Sequence, residues 1–382
     1  MRFVTLFPKA QNVHLVKDIG MIPWLLRKNH GIDSELVCWP NGDYPYLETE
    51  VKGMKLSFIK KSPFGRIYDG CHYLKYEAPS IDVLNLYHLN LASFFYERVY
   101  LKYNPMGRIY LKLDMNNKGF SDCLKQTPKA WIKRATIKKA EIVSVENKQM
   151  YEALNNHFPG RLLYLPNGYH ESSKESEEVS ETAAADSTPY RIPPHIKNKK
   201  HDIILTVGNL GTYEKATDVL LAAFAKSAEK HNCSLRLIGP VEPEFEDKIN
   251  EFYEKYPDLK ERVTFTGRIT DRKELAGQYK KARFFVLPSR SESFGFVLLE
   301  AGLEGCYLIA SDGCSAARDI TDNEKYGRIV KADDENALAE AFAELCGPDT
   351  LSEFRGEELA EYIRKNYNWD TIIQKLYERL TA

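Results

Sequence analysis

Short apolar runs, each ending at a turn and followed by an amphipathic stretch, recur along this chain, and that rhythm limits it to folds built from strand–helix–strand units. Ile203-Ile204-Leu205-Thr206-Val207 stops at Gly208, and from about Ala216 the residues Val219, Leu220, Ala223, Phe224 and Ser227 fall at helical spacing. Leu235-Arg236-Leu237-Ile238, Val263-Thr264-Phe265, Phe284-Phe285-Val286-Leu287 and Tyr307-Leu308-Ile309-Ala310 repeat the pattern. Earlier, Phe3-Val4-Thr5-Leu6, Leu36-Val37-Cys38-Trp39, Val83-Leu84-Asn85-Leu86, Ile109-Tyr110-Leu111-Lys112-Leu113 and Ile142-Val143-Ser144-Val145 behave likewise. Alternating units of this kind imply an α/β fold with parallel sheets.

One stretch breaks the rhythm. From 171 to 200 the chain turns acidic and poor in apolar residues, with Ala183-Ala184-Ala185 and then Pro189, Pro193 and Pro194. Such a segment buries too little surface to offset its ordering entropy, so it is read as a flexible linker or loop. The 382 residues exceed one ordinary core. The expected division is a domain over 1–170, the linker over 171–200, a second domain over 201–364, and a tail helix over 365–382 returning to the first. Two sheets facing across a cleft follow from that reading, with ligands sought where strand carboxyl ends meet helix N-termini.

The formal net charge of -1 leaves no global field for nucleic acid. Seven scattered cysteines without a C-x-x-C pair suit reduced thiols and offer no zinc site. The opening run is cut off by Pro8 and Lys9, too short for a signal-peptide core, and no stretch approaches a membrane span. A cytoplasmic protein is the expectation.

Two strand ends carry chemistry. Gly208-Asn209-Leu210-Gly211 leads into Thr212-Tyr213-Glu214-Lys215, where glycines allow close backbone approach and Lys215 supplies a cation near a helix start. A diphosphate clamp and an ordinary turn with a solvated lysine are both open at this point. Leu287-Pro288-Ser289-Arg290-Ser291-Glu292-Ser293-Phe294-Gly295-Phe296 closes another strand, and Glu300 follows two turns later among Val297, Leu298, Leu299 and Ala301. In that apolar company Glu300 is expected to be partly buried, at a cost that donors such as ribose hydroxyls would offset.

The segment from Pro288 to Ala301 resembles the E-x7-E signature of glycosyltransferase family 4, whose members have the GT-B fold of two Rossmann-like domains. Gly208 to Lys215, Leu165-Pro166-Asn167-Gly168 and Ile309-Ala310-Ser311-Asp312-Gly313 resemble further parts of that family in order and spacing. The resemblance implies a retaining, hexosyltransferase-type enzyme that moves a sugar from a nucleotide diphosphate sugar, UDP favoured, to a glycan or lipid-linked acceptor in polysaccharide or glycolipid synthesis. It implies that Glu292 contacts sugar hydroxyls, that Ser293 and the amides of Phe294, Gly295 and Phe296 meet the sugar or distal phosphate, and that Glu300 binds ribose. Gly208, Asn209 and Lys215 would line the diphosphate, Lys215 doing what a metal does elsewhere, so neither metal nor cofactor is expected. Arg268 sits where the family meets the base.

Two departures stand out. Asn209 occupies the place of the family's usual arginine, leaving Lys215 to carry the charge or Arg290 or Arg268 to compensate. The first turn, usually glycine-rich, reads Pro8-Lys9-Ala10-Gln11-Asn12, so Lys9 or Asn12 is left to approach the phosphates. On the acceptor side the candidates are His88 and Asp114, each just after a strand. His88 is equally readable as a structural histidine at a helix N-terminus, and Asp114 as a cap. Lys125, Lys129, Trp131, Lys133, Arg134, Lys138 and Lys139 form a local cationic stretch, read as peripheral contact with anionic membrane or as a solvated helix face. A catalytically silent subunit that binds glycan or a partner protein remains the competing reading.

Overall fold

The computed structural model describes residues 1–114, 117–158, 160–170, 200–347 and 354–382. The chain divides into two compact units, Met1–Ala185 with Tyr367–Ala382, and Asp186–Asn366. Residues 171–199 of the expected linker lie outside the described residues. Lys200 does not behave as linker: its Nζ donates to the Tyr279 carbonyl at 3.1 Å and the Glu304 carbonyl at 2.6 Å, tying the strand entry to its own unit.

The first unit is built on seven parallel strands: β1 (Arg2–Leu6), β2 (Asp33–Cys38), β3 (Leu56–Phe58), β4 (Val83–Tyr87), β5 (Arg108–Leu113), β6 (Ile142–Val145) and β7 (Leu162–Tyr164). Their order is β3-β2-β1-β4-β5-β6-β7. Side chains alternate across the sheet, so each strand feeds two cores. Phe3, Leu36 and Tyr110 face one layer, with Ile22 and Leu25 of helix α1 (Asp18–His30). Val4, Leu84 and Leu111 face the other, with Leu74 of α2 (Gly65–Glu77), Tyr96 and Tyr100 of α3 (Leu91–Tyr103) and Ile137 of α4 (Pro128–Lys139).

The second unit has six parallel strands: β8 (His201–Val207), β9 (Ser234–Ile238), β10 (Val263–Phe265), β11 (Ala282–Leu287), β12 (Tyr307–Ser311) and β13 (Gly327–Val330). They run β10-β9-β8-β11-β12-β13. Both sheets therefore reverse their winding once, beside β1 in the first and beside β8 in the second. Loops leaving the two strands at such a point diverge to opposite faces and leave a crevice, which is where open α/β sheets take ligands.

The returning tail helix expected over 365–382 spans Trp369–Thr381, and a separate helix precedes it. The helix Gly356–Asn366 stays with the second unit, where Ile363 and Leu359 press on Gly302 so closely that a Cβ there would lie 2.3 Å from Ile363 Cδ1. The chain then bends at Asn368, whose side chain accepts from Asp370 N at 2.8 Å and caps a new helix, Trp369–Thr381. Trp369, Ile372, Ile373, Leu376 and Leu380 of that helix are each at most 2% exposed in the core of the first unit. At roughly 1.5–3 kcal/mol for each such side chain, this return is firmly held.

Candidate functional site

In the second unit the reversal lies between β8 and β11, the two strands whose ends the sequence marks out. After Val207 the chain passes Gly208, whose N–H donates to the Ile238 carbonyl at 3.0 Å. Gly211 follows with φ +88°, where a Cβ would lie 2.4 Å from Phe245 Cβ, so only glycine fits the turn. Its N–H donates to Thr217 Oγ1 at 2.9 Å. A single 3-10 turn, Tyr213–Lys215, then leads through left-handed Ala216 (φ +52°) into the helix Thr217–Ser227. This presents Lys215 over the strand end, its stem 3.7 Å from where a Gly208 side chain would begin.

After β11 the second loop is fastened to the first, because Arg290 N–H donates to the Glu214 carbonyl at 2.8 Å. Glu292 is pinned from both sides: its N–H donates to the Gly313 carbonyl at 2.9 Å and its carbonyl accepts from Ser315 N–H at 3.0 Å. Gly313 makes that approach possible, since a Cβ there would sit 2.3 Å from the Ser289 carbonyl oxygen. Phe294 is buried as an anchor, and Gly295 (φ +80°) starts the helix Phe296–Leu303, with Ser293 and Phe296 half-buried on either side.

These loops bring Lys215 and Glu292 together, with Nζ donating to Oε2 at 2.5 Å. Both side chains are partly open to solvent, at 28% and 22%. The pair is a matched cation and anion at a helix start, in reach of an incoming ligand. Backbone N–H groups of the helix that Gly295 opens add positive field beside it.

Glu300 meets its expectation at the carboxylate and not along its stem. The residue as a whole lies at the surface, because Leu298, Leu299, Ala301 and Gly302 take the core-facing side of its helix, while the carboxylate end is partly buried, as expected. That carboxylate is engaged, accepting from the Tyr279 hydroxyl at 2.7 Å. Protein packed around that carboxyl pushes its pKa up, and Tyr279 and Arg272 oppose the push.

Arg290, one of the two arginines named to compensate for Asn209, is engaged elsewhere in the fold. Arg290 grips Asp218 with both terminal nitrogens, at 3.0 and 2.7 Å, and Asp333 through Nε at 2.6 Å. Burial pushes the Asp218 carboxyl up, and the Arg290 hydrogen bond and charge more than offset this, holding it below its usual range. Asn209 itself is exposed, its carbonyl accepting from Thr212 Oγ1 at 3.2 Å. Arg268 is exposed in the loop after β10. Lys215 is thus the cation set into the strand-end crevice.

The first unit holds the remaining candidates. His88 follows β4 in the left-handed region at φ +62°, its carbonyl accepting from Ser93 Oγ at 2.9 Å. It is not the helix N-terminus: Asn90 caps that helix, accepting from Ala92 N at 2.8 Å and Ser93 N at 3.1 Å. Asn12 is committed to the fold, accepting from Tyr46 N at 2.9 Å, whereas Lys9 lines a small open hollow with Arg66, Tyr87 and Asn90. Asp114 is exposed at the end of β5.

Beside Asp114 lies a buried polar cluster that sequence reasoning missed. Lys112, with no exposed surface, donates to the Leu165 carbonyl at 3.2 Å and stands 3.8 Å from Asp18. Glu146 accepts from Asn167 Nδ2 at 2.6 Å. Burial, and then the negative charge of Asp114, push the Glu146 carboxyl well above the usual carboxylate range. Glu146 follows β6 just as Asp114 follows β5, and a lysine inside an apolar strand demands a partner. Both signals were readable.

Residues 201–347 match the family described as "Glycosyl transferases group 1". The lipopolysaccharide core biosynthesis mannosyltransferase LpcC of Rhizobium leguminosarum bv. viciae is 30% identical over 159 residues, covering 41% of this chain and 44% of the relative. The phosphatidyl-myo-inositol mannosyltransferase of Mycobacterium leprae is 35% identical over 128 residues, 32% of this chain and 33% of the relative. The chain thus spans less than half the length of either curated relative. Among solved structures, Anabaena HepE in complex with UDP superposes with a TM-score of 0.73 at 14% identity, covering 100% of both chains. The chain has the GT-B fold, and residues 201–347 of its second unit match the group 1 glycosyl transferases.

Proposed function

We propose that the chain is a retaining glycosyltransferase of the hexosyltransferase type, moving a sugar from a nucleotide diphosphate sugar to a glycan or lipid-linked acceptor. The observation that carries this reading is the Lys215–Glu292 pair at the reversal of the six-stranded sheet. Without ligand the two charges satisfy each other. A donor exchanges that contact for two others: Lys215 turns to the diphosphate, and Glu292 accepts from sugar hydroxyls. As the glycosidic bond breaks, negative charge grows on the diphosphate, and a fixed ammonium lowers the energy of that state. Glu292 is not assigned as a nucleophile, since its carboxylate is already committed to orienting partners. Glu300 and Tyr279 supply an acceptor and a hydroxyl for ribose, while His88 and Asp114 are assigned to the acceptor side. No metal or cofactor is needed for this chemistry.

A UDP-sugar is the favoured donor, a choice supported by the UDP held by HepE. The names of the curated relatives support an acceptor in lipopolysaccharide or glycolipid synthesis. The reading places the protein in the cytoplasm at the inner face of a membrane, with residues 125–139 meeting anionic lipid.

A panel of UDP-, GDP- and ADP-sugars tests the proposal. Turnover is expected on one donor, with Glu292→Ala and Lys215→Ala each lowering kcat by about 10²–10³-fold. Neither nucleotide binding nor turnover with any donor would leave the silent glycan-binding subunit as the better account.

A further inference from the structure

Twelve large apolar side chains are exposed among the described residues, and eight of them belong to α2, α3, α4 or the loops beside them. These helices are neighbours in one layer of the first unit, packed on the same core. Phe64, Tyr68 and Tyr76 are 72%, 50% and 63% exposed and fall four and eight residues apart along α2. With His72 between them they form a continuous ring-on-ring stripe, centroids 4.9, 6.0 and 5.1 Å apart. Across the layer Trp131 is 57% exposed and leans on Phe94 of α3 at 5.9 Å. Core packing does not explain rings left in water.

The charges around them have one sign. Stretches 60–77, 91–103 and 125–139 carry twelve Lys and Arg against three acidic residues. Those three are occupied within the fold: Asp69 accepts from Trp39 and Ser62, Glu77 pairs with Arg2, and Glu97 is buried beside Arg98. Arg134 is likewise spent, donating to the Cys123 and Lys125 carbonyls. Lys125 pairs with Asp122, just before its stretch, at 2.5 Å, while Lys75 and Lys102 lie over the rings of Tyr76 and Tyr103 at 5.3 and 5.6 Å.

We infer that the outer face of α2, α3 and α4 is one docking surface for an anionic phospholipid bilayer, with the Phe64–Tyr68–Tyr76 stripe and Trp131 as the inserted groups. This enlarges the contact of residues 125–139 in the proposed function and rests on that reading only for its purpose. Aromatic rings beside ammonium groups match the interfacial zone of a bilayer, where rings sit at headgroup depth and cations meet lipid phosphates. A second copy of the chain would set the same cations against each other, and a neutral glycan would leave them without partners.

Trp131 makes the test direct, because Trp24, Trp39 and Trp369 are all buried. The full chain is mixed with phosphatidylcholine vesicles with and without phosphatidylglycerol, and tryptophan emission and co-sedimentation are followed. Binding with a blue shift is expected for the anionic vesicles alone, weakening with salt. Lys129→Glu or Lys138→Glu should each lower affinity at least about fivefold. Phe64→Ser with Tyr68→Ser should lower it about tenfold or more while leaving hydrolysis of soluble donor unchanged. No binding to anionic vesicles overturns the inference, as does a blue shift that needs only a rise in protein concentration. Binding indifferent to Phe64→Ser with Tyr68→Ser overturns it while sparing the 125–139 contact. Vesicle binding by a protein that hydrolyses no donor would instead remove the transferase reading and leave this one standing.

Discussion

Arg290 shows how one side chain is withdrawn from chemistry by its neighbours. Its guanidinium is divided between Asp218 and Asp333, so it holds two loops together, while Lys215 pairs with Glu292 at the strand ends. Arg290→Lys keeps the charge and loses the fork, and should cost about 1–3 kcal/mol in urea unfolding of the second unit. Glu97 offers a second test. Burial lifts its carboxyl from 4.5 to about 7, opposed by Arg98 and Lys139. The folded state then holds the proton more tightly than the unfolded chain, so stability is fullest below about 4.5 and is lost as pH rises through about 7. Glu97→Gln should gain about 1–2 kcal/mol at pH 8, allowing for screening, and nothing near pH 4, read from Tm at both values. At this scale Lys215 and Glu292 could be picked out because each lies in a glycine-containing loop that follows a strong apolar strand. Arg290 could not, since Asp333 is 43 residues away. Glu146 was readable as a strand-end carboxylate, but its partner Asn167 was not, because that residue arrives from the turn after another strand.

Strands in the middle of the sheets were easier to read than those at the edges. The core strands stood out, as did the three-residue edge strand β10, whereas β3, β7 and β13, of three or four residues at sheet edges, carry too few side chains to show a period. The break at Tyr367 and Asn368 was missed because an apolar stripe runs through both helices, and only the cap on Asp370 N divides them. Asn368→Ala should therefore cost about 1 kcal/mol, seen as earlier unfolding of the first unit. Gly211→Ala meets Phe245 and a left-handed φ at once. It should lower stability by more than 1 kcal/mol and move Lys215, so that donor affinity falls along with thermal stability.

For the whole molecule, the two-domain organisation and the returning tail could be read from the acidic break and the final apolar stripe. What composition could not show is where the stripe changes allegiance, since residues up to Asn366 pack with one unit and those from Tyr367 with the other. Removing residues 367–382 should strip the first unit of Trp369, Ile372, Ile373, Leu376 and Leu380 while sparing the second. Calorimetry of the truncated chain should keep one transition and lose or sharply lower the other.

That same return sets an order on synthesis. The second unit is contiguous in sequence and has all its strands once residue 366 has emerged, but the core of the first, although made earlier, lacks a wall until residues 369–380 leave the ribosome. The unit that begins the chain is therefore the last to close. Through translation of the whole second unit, the faces of Ile22, Leu25 and Tyr110 wait for a helix not yet made, and a nascent chain stalled before residue 369 should expose them to a chaperone or a protease.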